Sequence, residues 1–203
     1  MLFIGITGGV GAGKTEILNH IKEKWCSRIM LADEIAHDVM APNGRCYGQL
    51  KELFGDDDVW QADGSFDRKK LASVLFSDDA KREQEDAIVH PAVKEVVREE
   101  YAREQELARV DLLVLEAALL IEEKYDEICG ELWYIYTSEE NRRERLKASR
   151  GYSDAKVDSI FKSQLSEETF RAHCAEVIDN NGTREDTFRQ VDALMEKKGI
   201  RPR

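Results

Sequence analysis

Eight consecutive residues near the start of the chain, GGVGAGKT at positions 8–15, restrict its fold more than any other stretch. They fill the pattern GxxxxGK(S/T), with the short apolar run LFIGIT before them and helically spaced Ile17, Leu18, Ile21 and Trp25 after them. A strand, a glycine turn and a helix are therefore expected in that order. Glycines let the loop turn tightly and aim successive backbone N–H groups into one concavity, a nest for phosphate oxygens. The helix start adds unpaired N–H groups and the positive end of its dipole. Lys14 supplies a mobile cation for β- and γ-phosphates, and the Thr15 hydroxyl can ligate Mg²⁺. A turn that binds nothing is the plainer alternative, and the complete pattern at a strand-to-helix junction argues against it. The loop calls for a nucleoside triphosphate, read here as ATP, held by Gly8, Gly9, Gly11, Ala12, Gly13, Lys14, Thr15 and Glu16. It leaves the phosphoryl acceptor open.

Next comes SRIMLAD at 27–33, read as a second strand ending at Asp33. Strand, glycine turn, helix and strand make a βαβ unit, which implies a parallel sheet and an α/β fold. After Glu34 helical patterns dominate, broken at Pro42-Asn43-Gly44, at Gly55 to Asp58 and at Ala62-Asp63-Gly64. The last helix of this insertion is expected to follow His90-Pro91, its charged run VKEVVREEYAREQELAR forming a solvated face. DLLVLE at 111–116 and ELWYIYT at 131–137 read as further strands, EVIDN at 176–180 as the last. Helices are expected over EENRRERLKASR, SDAKVDSIFKSQ and TREDTFRQVDALMEKKG.

With 203 residues, the chain fits one compact domain with insertions. A net charge of −11 opposes broad binding to nucleic acid or anionic membrane, without forbidding a local basic pocket. No apolar run approaches the roughly 18 residues that span a bilayer. Leu2-Phe3-Ile4 opens without a basic region, so no export signal is expected. Cys26, Cys46, Cys129 and Cys174 form no CxxC pair, which suits reduced thiols in a cytoplasmic protein.

Several side chains carry two readings each. Asp33, at the carboxyl end of a parallel strand, can accept a hydroxyl proton, or it can cap the helix that follows. Glu116 also ends a strand, and can approach Mg²⁺ and substrate or serve as a rim acid. Arg142, Arg143, Arg145 and Arg150 form a basic cluster; for Arg142 and Arg143 a solvated face paired to Glu139, Glu140 and Glu144 is the favoured reading. Asn180 and Asn181 can contact adenine, although a polar turn is the more economical account.

Segment by segment, IGITGGVGAGKT, ADEIAHDVMAPNG, GSFDRKKLASVLF, AIVHPAV, VLEAALLIE and VIDNNG resemble bacterial dephospho-coenzyme A kinases. The resemblance implies a three-layer α/β/α P-loop kinase core with a parallel sheet, a helical acceptor-binding insertion and a helical lid. The layout expected is a single domain: core about 1–40, 110–138 and 174–203, insertion about 41–109, and lid about 139–173. It implies transfer of phosphate from ATP, with Mg²⁺, to the ribose 3′-hydroxyl of dephospho-coenzyme A by a monomer or weak homo-oligomer. Asp33 falls on the acid proposed to activate that hydroxyl, and Arg145 on a lid arginine, so that Asp33, Lys14 and Arg145 are the catalytic set. Arg68, His90 and Glu116 fall in segments that bind substrate, with Thr15 as metal ligand. The chain departs from the pattern at Leu31, where an acid is usual, at Ala118 in place of proline, and at Ser149 in place of a second lid arginine. A P-loop kinase for another small hydroxyl acceptor, and a nucleotide binder with impaired catalysis, are the competing readings.

Overall fold

The computed structural model describes residues 1–203 and divides into two compact units, one of Met1–Met30 with Glu104–Arg203 and one of Leu31–Arg103. The first unit is built on a five-stranded parallel sheet in the order β2-β3-β1-β4-β5. Its strands are β1 (Leu2–Thr7), β2 (Ser27–Leu31), β3 (Leu112–Glu116), β4 (Glu131–Tyr136) and β5 (Glu176–Asp179). Phe3, Ile4, Ile6 and Thr7 of β1 and Leu112 to Leu115 of β3 are all buried, so both faces of the central strands are covered. That is why these strands read as continuous apolar runs rather than alternating ones. Each fully buried leucine or isoleucine there contributes about 1.5–3 kcal/mol.

Strand β1 pairs with β3 on one side and β4 on the other. The chain therefore changes direction across the sheet at β1, and the crevice beyond its carboxyl end lies at a topological switch point. Residues Gly8–Gly13 fill that position and lead into α1 (Lys14–Lys24), which buries Ile17, Leu18 and Ile21. After β4 come α6 (Glu139–Arg150), α7 (Asp154–Lys162) and α8 (Glu167–His173), and after β5 comes α9 (Arg184–Lys197). Their starts are set locally: Ser138, Ser153, Ser166 and Thr183 each accept a backbone N–H of the first turn with the side-chain oxygen. Gly151, at φ 64°, ends α6 in the left-handed conformation that glycine favours.

The second unit is helical: α2 (Ala32–Met40), α3 (Tyr47–Leu53), α4 (Arg68–Ser77) and most of α5 (Asp79–Leu107). It begins at Leu31 rather than near residue 41, because α2 belongs with it. Its core includes Val39, Leu50, Phe54, Phe66 and Leu71. Phe66 stacks tilted on Trp60 at 4.2 Å between ring centroids. Helix α5 runs straight through His90-Pro91, where a helix start was expected. Glu85, Val89, Val93 and Val97 are all buried, so the inward stripe keeps phase across Pro91. Packing of that stripe outweighs the one lost backbone hydrogen bond, since Pro91 itself is exposed.

Candidate active site

In the first unit the P-loop has the expected strand-to-helix setting. Gly13, at φ 87°, is the N-cap of α1, and no side chain caps that helix. The first-turn N–H groups of α1 are thus left without a side-chain cap, the state that suits an anion. Lys14 Nζ donates to the Gly8 carbonyl at 2.8 Å and lies 3.4 Å from Glu116 Oε1. The loop therefore holds its own lysine across the nest, and the acid ending β3 faces the same point.

The carbonyl of Ala12 is fixed by three donors: Asn180 Nδ2 at 2.6 Å, Thr137 Oγ1 at 3.1 Å and Arg145 Nη1 at 3.5 Å. A planar trans peptide sends its N–H opposite to its carbonyl. Pinning the Ala12 oxygen therefore aims the Gly13 N–H to the other side of that peptide plane. Asn180 is itself oriented, because its Oδ1 accepts from Thr187 Oγ1 at 2.8 Å. Asn181 Oδ1 accepts from Ser138 N at 2.9 Å and Asn141 Nδ2 at 2.8 Å, tying the start of α6 to the same turn. The Asn180-Asn181-Gly182 turn is thus polar, and its amides brace the loop and the start of α6. Arg145 Nη2 donates to the Asn180 carbonyl at 2.7 Å.

Gly13, Glu16, Arg145, Asn180, Arg184 and Phe188 wall much of a cavity of about 380 Å³ beside the loop. Glu16 and Arg184 form an exposed ion pair at its edge. Helix α6 closes over the other end of the loop, where a Cβ on Gly9 would land on Arg142 Nη1. Arg142 is not on a solvated face paired to Glu139, Glu140 and Glu144. It donates to Gln164 Oε1 at 2.8 Å and lies 4.3 Å from the Phe161 ring centre, while Arg143 pairs with Asp154 and Asp158. The signal that could have separated the two was spacing. Arg142 and Arg145 are three apart and share a helix face, whereas Arg143 does not. Thr137 is the residue that sequence reasoning passes over, while it reads Asn180 as a polar turn or an adenine contact and Arg142 as part of a solvated face.

The run ending α5 also differs from the solvated face expected of it. Glu104 is buried and bonds Arg109 and, at 2.7 Å, Arg28. These two guanidiniums hold its carboxyl below the usual range.

In the second unit Asp33, His37, Arg68 and Glu85 line a largely apolar cavity of about 490 Å³, with Met40, Phe66, Leu71 and Leu75 among its other walls. Asp33 stands neither at a strand end nor at a cap. β2 stops at Leu31, which is the N-cap of α2, and Asp33 is exposed in the first turn. Arg68 opens α4 behind its cap Asp67, and its Nη2 lies 3.3 Å from His37 Nδ1. Burial and the neighbouring Asp86 raise the Glu85 carboxyl to about 7, against a lowering effect of His90. His90 is not among the walls; its Nε2 lies 3.3 Å from Asp86 one turn earlier on α5.

Against known proteins, the profile described as dephospho-CoA kinase matches residues 2–186. A curated dephospho-CoA kinase of Shouchella clausii is 34% identical over 192 residues, covering 94% of this chain and 96% of that protein. One of Geobacter sulfurreducens is 32% identical over 200 residues, covering 98% and 99%. Among solved structures, TT1252 of Thermus thermophilus aligns with a TM-score of 0.77 at 27% identity, over 97% of each chain. Dephospho-CoA kinase from Campylobacter jejuni shares the fold, with a TM-score of 0.73 at 17% identity over 97% of each chain.

Proposed function

Since the chain belongs to the dephospho-CoA kinase family, we propose that it transfers the γ-phosphoryl group of ATP to the ribose 3′-hydroxyl of dephospho-coenzyme A, the last step of coenzyme A synthesis. The observation that carries this reading is a P-loop whose lysine is poised between the Gly8 carbonyl and Glu116. Binding of the triphosphate draws Lys14 from these partners onto the β- and γ-oxygens, where its charge offsets that developing in transfer. Gly8 to Glu16 surround the phosphates, and Arg145 adds a guanidinium beside Gly13.

The donor set fits the Mg²⁺ that accompanies a nucleotide. It offers few hard oxygens, the Thr15 hydroxyl at the start of α1 and the Glu116 carboxylate, and no group of three or more His, Cys, Asp or Glu side chains. Such sites leave most coordination to phosphate and water. When bound, the ion would neutralise phosphate charge and fix its oxygens.

Asp33 takes the proton of the acceptor hydroxyl in this reading. Arg68 offers the acceptor's diphosphate a cation, and the apolar walls around it suit the uncharged arm. His90, paired to Asp86 one turn earlier on the same helix and outside the cavity walls, is not given a hold on the acceptor in this reading. No helix is long and apolar enough to cross a membrane. The four free cysteines support a place in the reducing cytoplasm.

ADP release measured across candidate acceptors tests the proposal, with the phosphorylated position read by NMR. Turnover with dephospho-coenzyme A at the 3′-position is the expected result. Silence with that acceptor and turnover with a nucleoside monophosphate or a sugar would overturn it.

A further inference from the structure

We infer that Arg142 is a second phosphate-holding guanidinium, delivered from α6 onto the Gly9 end of the loop and taking the place of the lid arginine that Ser149 does not supply. The inference rests on the reading that the loop holds ATP. It begins with charge. In a chain of net charge −11, Arg142 makes no ion pair within 4 Å and feels Glu139 only from farther off, although its neighbour Arg143 pairs with two carboxylates. Its Nε is buried without a hydrogen-bond partner. A desolvated cation of this kind costs free energy unless an anion meets it.

The surroundings fix where that anion must lie. The Phe161 ring sits 4.3 Å from the guanidinium carbon, and Gln164 Oε1 accepts from Nη1 at 2.8 Å. Both come from the α7 segment, so α6 and α7 together lock the side chain over the loop. Any side chain at position 9 would collide with Nη1. Glycine there admits the arginine, beyond any need of the backbone. Arg142 and Arg145 consequently stand at opposite ends of the loop, by Gly9 and by Gly13. Neither of the two residues before Gly151 offers the same service: Ser149 turns back to the Arg145 carbonyl at 2.6 Å, and Arg150 is exposed, its guanidinium 5.9 Å from the Tyr152 ring centre.

Two cations spread along the loop should read the number of phosphates. The test compares ATP and AMP binding by calorimetry in the wild type, Arg142→Ala, Arg142→Gln and Arg143→Ala, alongside turnover with dephospho-coenzyme A. Arg142→Ala should weaken ATP about 10-fold or more and leave AMP unchanged, and Arg143→Ala should match the wild type. Arg142→Gln, which removes the charge but keeps a polar amide on a side chain two atoms shorter, should lose ATP affinity as well; it gives the answer if the alanine variant does not fold. Equal weakening of ATP and AMP would make Arg142 a structural prop, and unchanged ATP binding would remove it from the site. Either result overturns the inference. If the wild type binds ATP yet leaves dephospho-coenzyme A unmodified, the proposed function fails while the ATP–AMP comparison still decides Arg142.

Discussion

In the proposed function, the loop in the first unit and the cavity in the second solve recognition by opposite means. Around the loop the contacts that fix its carbonyls are polar and short, and the groups it would offer to phosphate are largely backbone. The Ala12 carbonyl alone takes three donors. The cavity of about 490 Å³ in the second unit has mostly apolar walls and only a few charged groups, Asp33, Arg68 and Glu85. Phosphate is small, rigid and highly charged, so a fixed array of dipoles can be aimed at it. A larger acceptor needs shape and area, with charges placed sparingly to orient it. Substitutions should therefore separate the two: those at the loop act on ATP, those at the cavity act on the acceptor step.

The largest effect belongs to Lys14→Ala. It removes the one side chain the loop positions by itself, and transfer should fall by roughly 10³-fold. Thermal stability should change little, since Lys14 loses only the Gly8 carbonyl and Glu116 contacts. Steady-state turnover decides it, and wild-type kcat would contradict the loop's role. Asp33→Asn comes next, with kcat lowered about 10²-fold, the scale of a lost general base. Because Asp33 belongs to the cavity of the second unit, the Kd for ATP should stay as in the wild type. A matching loss of ATP affinity would break the division of labour between the two regions.

The same contrast explains what the sequence disclosed. Backbone recognition leaves its mark in glycines, because they take φ of 87° at Gly13 without strain and leave room for Arg142 beside Gly9. The parallel sheet was legible too, since strands covered on both faces are continuous apolar runs. Side chains placed by tertiary packing leave no comparable mark. Arg142 and Arg143 are adjacent and chemically identical; the spacing from Arg145 is a faint hint, and it is the arrival of Gln164 at one and of Asp154 and Asp158 at the other that separates them. Pro91 misled for a related reason: a local breaker signal was outweighed by a stripe, Glu85 to Val97, visible only once the helix is known to continue. Asp33 was expected at a strand end, but the strand ended two residues earlier than its apolar pattern suggested.

Glu85 sharpens the comparison through pH. It occupies a stripe position otherwise held by valines, and its carboxyl is raised to about 7 in the folded state against 4.5 ordinarily. The unfolded chain thus releases this proton first, so folded-state stability falls as pH rises from about 4.5 through about 7. The loss is on the order of 3 kcal/mol by pH 8. Glu85→Gln should abolish that slope, leaving the variant more stable than the wild type above neutrality. Urea unfolding at a series of pH values measures it, and parallel profiles would show that Glu85 is not the group responsible.

The smallest effects probe how far the loop's rigidity extends. Asn180→Ala removes the 2.6 Å bond to the Ala12 carbonyl while Thr137 and Arg145 remain, so ATP affinity should drop about 10-fold, one hydrogen bond's worth, with the KM for the acceptor unchanged. Thr187→Val acts one step further back. It deprives Asn180 Oδ1 of its 2.8 Å donor and lets the amide rotate, without removing the amide itself. Its effect on ATP should be only a few-fold. In the double variant the threonine substitution should add nothing, because its influence passes wholly through Asn180. Calorimetric titration of the four proteins tests this. Additive losses would mean that Thr187 supports the nest by a separate route through α9, and that the chain from Thr187 to Asn180 to Ala12 is not what holds the peptide in place.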